Sequence, residues 1–113
     1  MDIQIELETL DKLIDRLRIY ATISPAEWKA TKKRLRALVA EARTLGLPWG
    51  MVSEYTCRLQ GHLGALVGAE DALGHDRGSH VVWALGDMQA LRSFAAFRPV
   101  LERLKESPSG RLH

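Results

Sequence analysis

A chain of 113 residues with 46% apolar and 27% charged side chains has the composition of one globular domain and leaves no room for a second. Its net charge of +2 is too small to announce a nucleic-acid partner, and its single cysteine, Cys57, excludes an internal disulfide and points to a reducing, cytoplasmic setting. The stretch MDIQIELETLDKL lacks the basic start and apolar run of a signal peptide, and no apolar stretch approaches membrane-spanning length, so no membrane partner is expected.

Leu7, Leu10, Ile14, Leu17 and Ala21 recur at three and four residues and predict an amphipathic helix from about Glu6 to Thr22. Its narrow seam suits one partner helix, in the same chain or in a second copy. A complete helix start follows. Ser24 is placed to be the N-cap, Pro25 fills the first helical position, Glu27 can close a capping box, and Ile23 can staple onto Trp28. The apolar line then runs through Leu35, Leu38, Val39, Ala42 and Leu45 to a stop at Gly46. Within this segment Lys29, Lys32, Lys33, Arg34, Arg36 and Arg43 stand against Glu27 and Glu41 alone. Such a helix reads either as a solvated face or as a surface for phosphates.

Pro48 breaks the chain and pushes Leu47 toward extended geometry. A new helix begins near Met51 and buries Val52, Tyr55 and Leu59, leaving Gly50, Ser53, Glu54, Cys57 and Arg58 on the other side. Its end has two readings. A helix to Leu73 makes a small-residue stripe of Cys57, Gly61, Gly64 and Gly68 for close helix approach; a helix ending near Gln60 or Gly64 leaves the segment 65–85 for a hairpin. In the second reading, residues 65–72 and Ser79 to Leu85 are strands joined by the polar turn Gly74 to Gly78, and Gly86-Asp87 opens a closing helix. That helix carries Met88, Leu91, Phe94, Phe97, Leu101 and Leu104, with a kink at Pro99, and the tail 107–113 is expected to fray.

The span Leu38–Leu59 has the spacing of a helix-turn-helix: small Ala42 one turn before Gly46, anchors Leu45 and Leu47 beside it, then Val52 and Tyr55 at helical spacing. With the hairpin and closing helix, the order of elements resembles the winged helix-turn-helix DNA-binding regulators of the MarR and ArsR type. The resemblance implies a mainly α fold over residues 1–106 with a small two-stranded wing, acting without catalysis as a transcriptional regulator. It implies a homodimer closed by the first and last helices, through Leu7, Leu10, Ile14 and Leu17 with Phe94, Phe97 and Leu101. The partner would be double-stranded DNA, met in the major groove by Trp49, Gly50, Ser53, Glu54, Cys57 and Arg58, with Arg77 at the wing tip. Lys32, Lys33 and Arg36 would supply phosphate contacts.

The alternative is an all-α bundle of four or five helices that binds or inhibits a protein partner. The glycine stripe and the acidic Glu54 on the presumed recognition helix favour it, with Trp49, set between Pro48 and Gly50, as the exposed anchor. Trp28 and Trp83 are expected in the core. Glu70, Asp71, His75, Asp76 and His80 crowd together without the spacing of a metal site, and no phosphate loop, carboxylate pair or Cys/His dyad suggests an enzyme, so neither metal nor cofactor is expected. Cys57 beside Arg58 reads as a small helix residue or as an oxidation-sensitive thiol.

Overall fold

The computed structural model describes residues 2–19, 22–69 and 74–96, which form four helices: α1 (Ile3–Arg18), α2 (Pro25–Thr44), α3 (Trp49–Val67) and α4 (Arg77–Ala95). Each start has a local cause. Asp2 caps α1 by accepting from the Gln4 and Ile5 N–H groups, so that helix begins three residues before the apolar seam suggested. Ser24 Oγ accepts the Glu27 N–H at 3.1 Å, and Pro25 sits in the first turn of α2 as expected. The Glu27 carboxylate does not complete the capping box; it takes Arg16 of α1 at 2.7 Å and ties the two helices together.

α2 stops where the glycine signal placed it. Gly46 adopts φ +74°, which costs an L side chain about 1–2 kcal/mol, and lets the Leu47 N–H reach the Ala42 carbonyl at 2.9 Å. Leu47 itself is buried by this return. The chain turns at Pro48 and α3 starts at once, Val52 N–H bonding the Pro48 carbonyl.

The wing is absent among the described residues. α3 continues through Gly61 and Gly64 to Val67 and ends at left-handed Gly68, a stop intermediate between the two sequence readings. A Cβ at Gly61 would meet nothing within 4 Å, so close helix approach does not explain that glycine. The segment Ser79–Leu85 is helical, although Val81, Val82 and Trp83 favour strands. Two things override their propensity. Asp76 Oδ1 accepts the Ser79 N–H at 2.7 Å and caps α4, and burial at His80, Ala84, Asp87, Met88, Leu91 and Ala95 follows the helical period. Gly86-Asp87 therefore lies inside a helix that starts ten residues earlier, at Arg77. The fold is the all-α alternative.

α3 packs against both α2 and α4, and α1 closes the bundle against α4 and α2. Leu10, Ile14, Leu17, Leu35, Leu59, Leu63 and Met88 are the largest fully buried side chains. The α1 seam is thus occupied within its own chain: Leu7, Leu10, Ile14 and Leu17, expected at a dimer interface, are at most 2% exposed. Phe94 is half-buried against Tyr55, while Phe97 and Leu101 fall outside the described residues, as do Leu104, Pro99 and the tail 107–113. No helix among the described residues is long and apolar enough to cross a membrane.

Arg77 is the largest departure. Instead of standing at a wing tip, its guanidinium donates to the Leu66 carbonyl at 2.8 Å and to the Leu17 carbonyl, at the C-terminal ends of α3 and α1. One cation satisfies two helix ends whose carbonyls carry the negative pole of their dipoles. Replacing Arg77 with Met should lower stability by about 1–3 kcal/mol, read as a fall in the thermal midpoint, because two carbonyls lose a charged donor. An unchanged midpoint would show that the guanidinium holds nothing together.

Candidate functional site

Two surfaces carry chemistry. The first is the outer face of α2. At 100° per residue, Lys29, Lys33, Arg36 and Arg43 align within one stripe with Lys32 at its edge, opposite the buried Thr31, Leu35, Leu38 and Ala42. Glu27 and Glu41 point away from it, and Glu27 is held by Arg16. Arg34 lies outside the stripe, on the side of α2 that faces α1, and pairs with Glu6 at 2.7 Å. The five stripe cations are in none of the ion pairs among the described residues.

The α2–α3 turn extends this face onto α3. The Arg43 guanidinium lies 5.1 Å from the centre of the Trp49 ring, which stays 47% exposed, and Lys32 sits 5.8 Å over Trp28. Arg36 shares a shallow groove with Ser53, Cys57 and Gln60. The structure therefore brings Lys32, Lys33, Arg36, Trp49, Ser53 and Cys57 to one side of the molecule. It does not bring Glu54 and Arg58 into the same role, since Arg58 pairs with Glu54 at 2.7 Å and covers Tyr55 on the side toward α4.

The second surface lies between α3 and α4, where Arg58, His62, Val82, Trp83, Gly86 and Asp87 line an open groove. His62 Nδ1 lies 3.1 Å from His80 Nδ1, so one ring donates and the other accepts. Trp83 is ringed by His62, His75 and His80 at 5.3, 4.9 and 5.5 Å between centroids, yet is 40% exposed, contrary to the core position expected for it. His75 also meets His80 edge-on. Of the other residues considered as metal ligands, Asp76 serves as the α4 cap and Glu70 and Asp71 fall outside the described residues. No cluster among the described residues has the makings of a metal site.

Asp87 is the anomaly of this groove. Its side chain is only 9% exposed, its Oδ2 has no hydrogen-bond partner, and the nearest cationic candidate, His62 Nε2, stands 3.8 Å away. Burial pushes its carboxyl up to about 6, against a small opposing pull from Arg58. Burial also pushes His62 down, helped by His80, Arg58 and His75, so the imidazole resists taking the proton that would compensate Asp87. His62 and Asp87 escaped sequence reasoning because Gly-Asp resembles a helix start. A helical reading of residues 77–95 would have aligned His80, Trp83 and Asp87 at i, i+3 and i+7.

Comparison with protein families, with curated proteins and with solved structures finds no match to this chain.

Because the folded-state value of Asp87 lies above its unfolded value of 3.8, its contribution to stability is most favourable at low pH and is lost as pH rises from about 4 to about 6. Asp87→Asn removes that dependence. Relative to the parent chain, the variant should gain about 1–3 kcal/mol between pH 5 and pH 7, measured by denaturant titration at the two values. A difference between the two chains that does not change with pH would contradict the burial of an ionised Asp87.

Proposed function

We propose that the chain is a non-catalytic DNA-binding protein that holds the phosphate backbone of a duplex with the outer face of α2 and the adjoining edge of α3. The supporting observation is the stripe of Lys29, Lys32, Lys33, Arg36 and Arg43, free of carboxylates and of internal ion pairs over three to four helical turns. A run from residue 29 to residue 43 extends about 21 Å at the helical rise. Phosphates dominate the affinity of DNA-binding proteins, and unpaired Lys and Arg release counterions on contact. Trp49, Ser53, Cys57 and Gln60 border this stripe, and in this reading they would touch sugars and groove edges. The electrostatic objection raised by Glu54 weakens in this geometry, because Arg58 neutralises it away from the stripe. With no wing among the described residues, the reading is of backbone-dominated binding, and a regulatory role rests on that binding.

A second reading, a module that engages a protein partner, is favoured by a separate observation. Val82 and Trp83, which line the groove between α3 and α4, are 66% and 40% exposed, apolar surface that an isolated chain gains nothing by presenting to water.

The DNA reading predicts a steep salt dependence. The parent chain should retard a duplex of about 20 base pairs at low salt, with log affinity falling linearly in log salt at roughly −0.9 per phosphate neutralised. Lys33→Gln with Arg36→Gln should flatten that slope by about 2, and Trp83→Ala should leave it unchanged. Absence of any shift at low salt, or an unaltered slope in the double variant, would reject it.

A further inference from the structure

The groove between α3 and α4 poses a question that DNA binding leaves unanswered, namely why the chain retains a buried carboxylate with no donor. Asp87 lies four residues from Leu91 and one from Met88, on the buried side of α4, where an apolar residue would pack without penalty. Nearby cations do not answer it from within. Arg58 is engaged with Glu54 at 2.7 Å and lies over the Tyr55 ring. His62 approaches Oδ2 only to 3.8 Å and is committed through Nδ1 to His80. On α4 itself His80 is buried against His62, and His75, before the helix, meets Trp83 edge-on. The ion pair from α1 to α4, Asp11 with Arg92, lies about 140° further round the helix.

The approach to Asp87 has a definite shape. Trp83 and Val82, both exposed, line the groove together with Arg58, which is paired to Glu54, and His62, and Gly86 adds no side chain. A ligand that satisfies this site needs a cationic donor at its tip and a slender apolar stem behind it. A planar guanidinium can stack on an indole while donating to a carboxylate, and its methylenes can lie along a valine.

We propose that this groove is an anchoring site for an arginine side chain of a partner polypeptide, with the guanidinium bonding the groove-lining edge of the Asp87 carboxylate and stacking on Trp83. The inference rests on the second, protein-binding reading and is independent of the α2 stripe. Charge complementarity selects the occupant: the site offers one unsatisfied buried carboxylate, an aromatic face and flanking apolar residues, and no free cation. The same pairing explains why the carboxylate is kept at a cost to the unliganded fold, a trade common at binding sites.

The experiment is a titration of the isotope-labelled chain with N-acetyl-arginine amide, followed by the Trp83 indole and Asp87 amide resonances, with the citrulline counterpart as a neutral isostere. Saturable shifts at both resonances are expected, with citrulline and the Asp87→Asn chain each binding at least about tenfold more weakly. Trp83→Ala, at an exposed position, should weaken binding in a chain whose fold is undisturbed. Affinity should rise with pH and level off above about 7 as Asp87 ionises. Equal binding of arginine and citrulline would overturn the arginine site while leaving an apolar protein contact at Val82 and Trp83 intact. No saturable shift at Trp83 or Asp87 would overturn it outright.

Discussion

The turn at Gly46 and Leu47 is the constraint from which the rest of the architecture follows. A left-handed residue at Gly46 lets Leu47 bond back to Ala42 and bury its side chain, and Pro48 then starts α3 without a linker. Two helices of twenty and nineteen residues are thereby fixed side by side. Their shared edge places Arg43 over Trp49 and Arg36 beside Ser53 and Cys57. A β-branched residue at Gly46 would be strained there although nothing stands within 4 Å of its Cβ, because the conformation rather than the space forbids it.

α3 is packed from two sides, and this divides its chemistry. The edge toward α2 is neutral and bordered by unpaired cations; the edge toward α4 carries Arg58 and His62, which face the buried Asp87 of α4. The two edges differ in charge: the first is bordered by cations, the second by a buried carboxylate. Arg77 makes this division possible, since by satisfying the ends of α1 and α3 it locks the start of α4 against both.

Much of the fold was legible where local chemistry is decisive. Ser24-Pro25, Gly46 and the 3.6-residue period of Leu35, Leu38 and Ala42 placed α2 correctly, because capping and glycine signals act over a few residues. Within residues 61–85 Gly61 and Gly64 lower helix propensity and Val81-Val82-Trp83 raise strand propensity, while tertiary burial decides the outcome. The helix start expected at Gly86-Asp87 separates Asp87 from His80 and Trp83, so the histidines read as a polar turn and strand rather than as one face with the carboxylate. The first surface was visible as a charge imbalance in residues 24–45, but only the helical wheel and the pairing of Arg34 with Glu6 show which cations remain available.

The central claim is that the α2 stripe and the near edge of α3 are where a duplex docks. The most direct measurement is a residue-resolved map of amide resonances on adding a short duplex at low salt. The account predicts perturbations along Lys29, Lys32, Lys33, Arg36 and Arg43, spreading to Trp49, Ser53 and Cys57 and fading as salt is added. Perturbations confined to α4, or none at any salt concentration, would contradict it.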